Sequence, residues 1–492
     1  MVNKIVKNKK NIIFIFLIIL YIFFAVNILT FGHNWGDDFA SYIMQAESLI
    51  SGSPHEFYEK NSFTINNSDT VLGPIVYPWG YPIILSIFLF LFNINLLALK
   101  IPNFIFFVLF LLTFYKLLSQ RLSQTEKLLL ISIITFNPHF LLFHDNILSD
   151  IPFLFFSTIS IYFIDRTIRK NFLFSSPWLN SIFLGFLIFF STFIRTIGIV
   201  LLFTYFVCQF YLVARNKKWT KNIKKELILF LMPYLIFAFF WIISSLIFPS
   251  GESSYRLTYN SSLINLLDVI RGNFNYYFNL LSDFFSGIPV RSTFYGFLLA
   301  FFVLGIIYRF TKDYLFVFFS VIYIGILTIW PAQQGLRFIF PIIPFFIYFS
   351  FQGMKQTISN VNTIKLKVGV RFNYIFWIII LMVFLGKSSS FFIANLNAGR
   401  SIEGPFDKFS METYNFIKEQ TSEDSIIVFH KPRIMRMMTT RNTVAATSCE
   451  TLSIGDYLII LKENILEEIL TNCPQVQENI FENDKFIIYE LD

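Results

Sequence analysis

The chain has 492 residues, of which 55% are hydrophobic, 14% are charged and 67 are Phe, and its formal net charge is +8. Soluble domains carry about 25% charged residues, so this composition and a mean hydropathy of +0.61 exclude a soluble enzyme and a disordered or fibrous chain. The basic residues fall in short clusters between apolar runs, which indicates cytoplasmic loops of a polytopic membrane protein and argues against a nucleic-acid partner.

The N-terminal segment predicts an uncleaved membrane anchor. Four Lys residues between positions 4 and 10 precede an apolar stretch over 11–31. A stretch of about 20 apolar residues is long enough to span a bilayer. No small-residue cleavage site follows it, so we expect the N-terminus in the cytosol.

Later basic clusters predict cytoplasmic turns between helical hairpins. These clusters lie at 116–127, 166–170, 215–225, 309–312 and 355–371. The hairpins between them are predicted over 128–143 with 150–165, 179–194 with 197–213, 227–248 with 294–308, and 314–330 with 337–352. A last span over 374–393 leads outward, which gives about 11 transmembrane helices and a C-terminus outside the cytosol.

The apolar run 81–92 decides this count. At about 12 residues it is short for a span, and Pro and Asn residues flank it. Counting it as a full span would place the 116–127 cluster outside the cytosol, whereas an interfacial position makes every basic cluster cytoplasmic. We therefore predict an interfacial or re-entrant helix, with a short tilted span over 81–94 as the alternative.

The composition changes near residue 400. We predict a transmembrane domain over 1–400 and a small extracytoplasmic α/β domain over 401–492, because strand-like and helix-like segments alternate in the polar C-terminal region. Cys449 and Cys473 lie in this region and either form a disulfide outside the cytosol or remain free thiols. The predicted elements are a helix at 410–420, strands at 425–429, 457–461 and 485–491, and a charged helix at 463–471.

An acidic pair, Asp37 and Asp38, follows the first predicted span directly. Adjacent carboxylates at a membrane boundary are costly unless they are solvated, bound to metal or used in function. Such a pair can act as a general base, hold a divalent ion, or both, and a solvated loop is the alternative. The topology places the pair on the outer face.

Asp150 lies in the second outward loop, which also contains His144. An Asp at the start of an apolar helix ordinarily caps it, and Ser149 is an equally suitable cap. The loop nevertheless returns to the face of the acidic pair, as a shared acidic site requires.

Two Arg residues interrupt apolar stretches on the same predicted face. Arg195 lies in the third outward turn, and Arg337 opens a later span. A lone Arg in such a place either snorkels to the lipid headgroups or binds a phosphate, for which the guanidinium geometry is well suited. Two Arg residues and three Asp residues on one face favour a phosphate-bearing lipid donor beside an acid–base group.

Taken in chain order, these motifs resemble the polytopic GT-C glycosyltransferases, specifically the superfamily of dolichyl-phosphate-mannose protein mannosyltransferases and lipid A aminoarabinose transferases. The motifs are the acidic pair in Gly36-Asp37-Asp38-Phe39-Ala40-Ser41-Tyr42, the run Tyr77-Pro78-Trp79-Gly80-Tyr81-Pro82, Asp150 before Ile151-Pro152, Arg195-Thr196-Ile197-Gly198, and Arg337 four residues before Pro341. The resemblance implies that a sugar is transferred from a polyprenyl-phosphate-linked donor to a lipid, glycan or protein acceptor on the extracytoplasmic face. From the composition we expect a bacterial inner membrane.

The same resemblance implies roles for individual residues. Asp37 becomes the candidate base, although the family usually has Asp-Glu at this pair, which keeps Asp38 open for that role. Asp38 and Asp150 would support the base or bind a divalent metal, and Arg195 and Arg337 would face the lipid phosphate. The candidate substrate contacts are Tyr42, Tyr77, Tyr81 and His144.

The main alternative is a flippase or transporter whose charges line a lipid-headgroup path. Transporters place ionisable groups near the membrane midplane on broken helices and show repeated halves. Here the charges cluster on one predicted face and the sequence shows no internal repeat. A polymerase or ligase of surface glycans would share the architecture and differ only in its donor and acceptor.

Overall fold

The computed structural model describes residues 2–215, 223–251, 263–330, 332–361, 366–463, 468 and 470–492, and most of these residues are helical. The helices before residue 400 are α1 (Val2–Ile28), α2 (Asp37–Ser51), α3 (Pro54–Asn66), α4 (Gly80–Phe92), α5 (Leu96–Leu117), α6 (Gln124–Thr135), α7 (Pro138–Phe143), α8 (Asp150–Ile168), α9 (Pro177–Ile194), α10 (Val200–Arg215), α11 (Ile223–Ile247), α12 (Leu263–Asp283), α13 (Arg291–Ile329), α14 (Ile343–Val361) and α15 (Leu366–Asn397).

Seven helices in the described ranges are long and apolar enough to cross a membrane. The apolar segments Ile12–Ile28 and Gly80–Phe92 are shorter. The prediction of about 11 spans, and the interfacial position of 81–92, therefore stay predictions. The seven segments are Leu96–Gln120, Asp150–Ile168, Pro177–Ile194, Thr196–Arg215, Leu227–Ile247, Arg291–Ile329 and Arg371–Asn397.

Helix α13 is a hairpin. Its ends cannot belong to one straight rod, because the ring of Tyr295 lies 6.1 Å from Phe346 and the ring of Phe319 lies 5.7 Å from the adjacent Phe345. Twenty-four residues of straight helix would separate Tyr295 from Phe319 by about 36 Å. The chain reverses at Asp313, whose backbone is non-helical (φ −128°, ψ 26°). The predicted turn at 309–312 is confirmed.

The predicted span over 128–143 is wrong as a single helix. Helix α6 ends at Thr135, and Pro138 opens the short helix α7. A residue that precedes Pro is driven out of the helical region, and Pro has no N–H to donate to the preceding turn. The Asn137 side chain instead accepts a hydrogen bond from the His139 N–H at 2.9 Å and caps α7.

Basic residues from three predicted turns meet at one end of the bundle. Arg121, beyond α5, is buried and pairs with Asp165 of α8 at 2.6 Å and with Asp313 at 2.7 Å. Arg169 pairs with Asp165 at 3.0 Å, and Arg309 pairs with Asp313 at 2.8 Å. The prediction that these turns share one face is confirmed. We call this face the basic end.

The region after residue 400 contains a five-stranded mixed sheet with strand order β2-β1-β3-β5-β4. The three predicted strands are confirmed, two further strands were not predicted, and the predicted charged helix falls partly outside the described residues. Cys449 and Cys473 form a disulfide. The elements are α16 (Lys408–Gln420), β1 (Ile426–Val428), α17 (Pro432–Thr439), β2 (Asn442–Val444), α18 (Cys449–Leu452), β3 (Tyr457–Leu461), β4 (Val476–Glu482) and β5 (Phe486–Leu491).

Candidate active site

A cavity of about 780 Å³ lies at the end of the bundle opposite the basic end. Helix α8 relates the two ends, since Asp150 lines this cavity while Asp165, about 22 Å further along the helix axis, belongs to the basic end. The charged residues and His residues that line the cavity are His33, Asp37, Asp38, Asp150, Arg195, Arg337, His430 and Lys431.

A buried lysine fixes the loop that leads into the acidic pair. Lys100, at the start of α5, is fully buried and donates to the carbonyl oxygens of Thr30 at 3.0 Å and Gly32 at 2.7 Å. It also pairs with the carboxylate of Asp145 at 2.6 Å, and Asp145 in turn accepts the Thr30 N–H at 2.7 Å. Because buried charges need such complete pairing, this cluster holds the backbone at Thr30 and Gly32 against the loop before α8.

We expect Lys100→Met to destabilise the fold by about 3–5 kcal/mol, because the variant leaves the Asp145 carboxylate and two carbonyl oxygens buried without their partner. The measurement is the thermal unfolding midpoint of the full chain in detergent. Lys116→Met removes an exposed charge from the other end of α5 and should leave the midpoint unchanged. Equal midpoints for wild type and Lys100→Met would contradict this role.

Asp38 is held by two donors. The Tyr77 hydroxyl donates to one carboxylate oxygen at 2.6 Å, and the Arg337 guanidinium donates to the other at 2.9 Å. Burial alone would raise the pKa of Asp38, but Arg337 and Tyr77 together hold that pKa below its usual value. Asp38 is therefore ionised, and each of its carboxylate oxygens already accepts a hydrogen bond.

Asp37 is held more loosely than its neighbour. One carboxylate oxygen accepts a long hydrogen bond, 3.4 Å, from the N–H of Ile434, and the other has no hydrogen-bond partner among the residues that the structure describes. The nearest cation is Arg433, whose Nε lies 3.8 Å away. Burial raises the pKa of Asp37, Arg433 opposes that shift, and the Asp38 carboxylate adds to it. Asp37 thus keeps an unshared oxygen and enhanced basicity.

Asp150 and Arg195, which both line the cavity, form an ion pair. Arg195 has an extended backbone between α9 and the short 3-10 turn Thr196–Ile199, and its guanidinium stacks over the Phe338 ring at 4.2 Å. This packing requires the glycine of the Thr-x-Gly sequence, because a Cβ at Gly198 would lie 2.6 Å from the backbone of α9. Arg337 is carried by a second 3-10 turn, Leu336–Ile339.

The structure brings two of the four candidate substrate contacts to the cavity. Tyr42 and Tyr77 line it, with ring centroids 4.6 Å apart. Tyr81 lies behind Tyr42, edge-on at 4.9 Å, and is buried outside the lining. His144 is also buried away from the cavity, where its ring bonds the Tyr21 hydroxyl at 2.6 Å and the carbonyl oxygen of Phe140. We therefore retain neither Tyr81 nor His144 as a direct substrate contact.

The carboxylates do not form a metal-binding set. Asp38 and Asp150 are each paired with an arginine, and no group of three or more His, Cys, Asp or Glu side chains in the described ranges is placed to hold a metal ion. Divalent ions in proteins require several oxygen ligands. The residues present do not fit the divalent metal considered for Asp38 and Asp150, and we derive no step through one.

Sequence reasoning missed the residues that the C-terminal region contributes. His430 and Lys431 line the cavity, and Arg433 is fully buried beneath it, donating to the carbonyl oxygen of Pro74 at 2.6 Å and to the Tyr77 hydroxyl at 3.3 Å. His430 and Lys431 lie between β1 and α17, and Arg433 lies in the first turn of α17. Their position directly after a strand could have identified them, because functional side chains in α/β folds gather at the edge of the sheet where strands end.

One wall of the cavity borders the lipid-facing side of the bundle. Trp241, in the last two turns of α11, and Phe248, directly after it, are among the lining residues. Helix α11 is largely exposed, since few of its side chains between Leu227 and Ile247 are buried inside the protein. The lining of the cavity thus combines charged side chains inside the bundle with apolar side chains beside the exposed helix α11.

Comparison with protein-family models and with curated proteins finds no match. Solved structures do match. Archaeal oligosaccharyltransferase AglB from Archaeoglobus fulgidus, in complex with an inhibitory peptide and a dolichol-phosphate, aligns with TM-score 0.57 and 11% identity over 91% of this chain and 69% of that chain. ArnT from Cupriavidus metallidurans aligns over 96% of this chain and 97% of that chain at 9% identity, with TM-score 0.54 in the apo state and 0.53 bound to undecaprenyl phosphate. At these identities the likeness concerns the fold, and it confirms the predicted GT-C fold of an integral membrane protein.

Proposed function

We propose that this protein is an integral-membrane glycosyltransferase that moves a sugar from a polyprenyl-phosphate-linked donor to a lipid, glycan or protein acceptor on the extracytoplasmic face. The observation that carries the proposal is the convergence of three carboxylates and two cavity-lining arginines, from separate elements, on one cavity beside a lipid-facing helix. Such a cavity can bind a charged headgroup while the polyprenyl chain stays in the membrane.

In the proposed reaction, an oxygen of the acceptor attacks the anomeric carbon of the sugar. The bond from that carbon to the phosphate oxygen breaks, and polyprenyl phosphate leaves with the bonding electrons. A carboxylate within hydrogen-bond reach takes the proton that the acceptor hydroxyl loses. Asp37 fits this role better than Asp38, because Asp37 has an unshared oxygen and a raised pKa whereas Asp38 is occupied by Arg337 and Tyr77.

The two cavity-lining arginines fit the departing phosphate. Guanidinium groups bind phosphate through several parallel N–H donors, and in a partly dehydrated cavity they stabilise developing negative charge strongly. Arg195 and Arg337 each bond one carboxylate and are partly exposed to the cavity. We propose that both take the donor phosphate as an additional partner.

Two further observations support the donor class and the side of the membrane. The related folds were solved with dolichol-phosphate in AglB and with undecaprenyl phosphate in ArnT. The disulfide between Cys449 and Cys473 lies in the region that supplies His430 and Lys431. Because structural disulfides persist in oxidising compartments, it supports an extracytoplasmic position for the cavity.

The flippase or transporter alternative receives less support. That function would favour Asp37 and Asp150 at opposite ends of a path through the membrane. Both residues instead line the same cavity, at the end of the bundle opposite the basic end.

The test is a transfer assay in proteoliposomes. A panel of radiolabelled polyprenyl-phosphate sugars is offered with membrane lipid, glycan and peptide acceptors, and the label that leaves the donor is measured. We expect label to reach one acceptor class while polyprenyl phosphate is released. Intact donor appearing across the bilayer would instead support a flippase.

Arg433 should set the pH range of this reaction. A base must be deprotonated, so the rate falls as pH falls through the pKa of Asp37, and Arg433 lowers that pKa. We expect Arg433→Gln to move the acid limb of kcat/KM to higher pH, while Arg433→Lys, which keeps the charge, leaves the limb near its original place. Removing the exposed charge of Lys418 in the same region is the control. An unshifted limb in folded Arg433→Gln would contradict this assignment.

A further inference from the structure

A second cavity, of about 320 Å³, lies at the basic end and is separate from the candidate active site. It is bordered by the end of α5, the ends of α8 and α10, and the turn of the α13 hairpin. Its charged lining residues are Arg121, Asp165, Arg169, Arg215, Arg309, Lys312 and Asp313.

The charges around this cavity do not balance. Five cationic and two anionic side chains line it, which leaves three positive charges in excess. The two carboxylates are already taken, since Asp165 pairs with Arg121 and Arg169, and Asp313 pairs with Arg121 and Arg309. Uncompensated positive charge beside buried ion pairs favours the binding of an anion.

Two of these cations have no carboxylate partner among the described residues. Arg215, at the end of α10, and Lys312, in the α13 turn, are exposed and reach the cavity lining from two different elements. Their donors are therefore available to a ligand, whereas Arg121 is fixed by its ion pairs and by its stacking over Phe316 at 4.4 Å.

Part of the remaining lining is apolar. Ile168, Leu212 and Leu315 border the same cavity as the cations. A free inorganic anion gains nothing from such a wall, whereas an amphiphile places its phosphate among the cations and its glycerol and first methylenes against the aliphatic side chains.

We propose that this cavity binds the phosphate headgroup of an anionic membrane glycerolipid. The site is distinct from the donor site, because the two cavities lie at opposite ends of α8 and share no lining residue. The proposal stands independently of the transferase function.

The test is native mass spectrometry of the full chain in detergent, titrated with short-chain phosphatidylglycerol, with phosphatidylcholine of the same chain length, or with inorganic phosphate. The double variant Arg215→Gln/Lys312→Gln removes the two cations that pair with no carboxylate in the described part of the chain, and it leaves the buried ion pairs in place. We expect it to weaken phosphatidylglycerol binding about thirtyfold, since each basic residue near an anionic headgroup contributes about fivefold.

The matched control is Lys116→Gln/Arg371→Gln, which removes the same number of charges from outside the cavity. It should bind phosphatidylglycerol as the wild type does, and thermal midpoints should be equal for all three proteins. Equal lipid binding by both double variants would overturn the site. If phosphatidylcholine bound as tightly as phosphatidylglycerol, the site would not be selective for an anionic headgroup. If equimolar inorganic phosphate displaced the lipid fully, the ligand would be a free phosphate and not a lipid.

Discussion

Asp37→Asn is expected to lower sugar transfer by a factor of about 10²–10⁴, the contribution typical of a positioned general base. The amide has the shape of the carboxylate but cannot accept the proton of the acceptor hydroxyl. The fold should persist, because the native contacts of Asp37 are only a 3.4 Å hydrogen bond and a cation at 3.8 Å. The measurement is the initial rate of label transfer, with equal amounts of inserted protein.

The matched control is Glu47→Gln, the same carboxylate-to-amide change on the same helix, α2, at a residue outside the cavity lining. It should retain the wild-type rate. Asp38→Asn tests the choice between the two adjacent carboxylates, since it breaks the contacts to Arg337 and Tyr77 and should lower donor binding as well as turnover. Full activity in Asp37→Asn would remove Asp37 from the reaction.

Arg337→Gln is expected to reduce turnover by about 10²–10³, the cost of removing one preorganised donor from a developing negative charge. The cause is the loss of the guanidinium that lies between Asp38 and the cavity. Arg337→Lys keeps the charge without the planar set of donors and should recover only part of the rate. The measurement pairs turnover with the affinity of the protein for free polyprenyl phosphate, and both should weaken in Arg337→Gln.

Arg291→Gln provides the comparison, because Arg291 also pairs with a carboxylate, that of Asp283 at 2.7 Å, but lies outside the cavity lining. It should leave both quantities unchanged. If Arg337→Gln lost turnover while binding polyprenyl phosphate as tightly as the wild type, the phosphate would be bound elsewhere.

The sequence predicted the cavity-lining carboxylates and arginines because each of them interrupts or borders an apolar run. A charge at such a place is costly in a membrane protein and so stands out. This reasoning identified Asp37, Asp38, Asp150, Arg195 and Arg337, all of which line one cavity. It also identified the basic turns, for the same reason.

The sequence did not predict which charged side chains form ion pairs with one another. Nothing in the order of residues indicates that Arg195 bonds Asp150 or that Arg337 bonds Asp38, since these pairs join elements far apart in the chain. The sequence did not predict the buried position of Arg433 either, because Lys431-Pro432-Arg433 is typical of a turn in a polar region.

Side-chain burial and strand polarity limited the prediction at other positions. His144 shares a polar loop with Asp150, yet its ring is enclosed by aromatic side chains and bonds Tyr21. Strand β4 was missed because its residues are mainly polar and exposed, and β2 because it has only three residues. Short or polar edge strands lack the apolar alternation that predicts a strand.

The most direct measurement is a structure of the full chain with a non-cleavable polyprenyl phosphonate sugar. We predict that the phosphonate oxygens lie within hydrogen-bond distance of Arg195 and Arg337, roughly 2.7–2.9 Å, with the anomeric carbon facing Asp37 and the polyprenyl chain leaving past α11. A phosphonate bound outside this cavity, or a sugar directed away from Asp37, would contradict the proposed site of transfer.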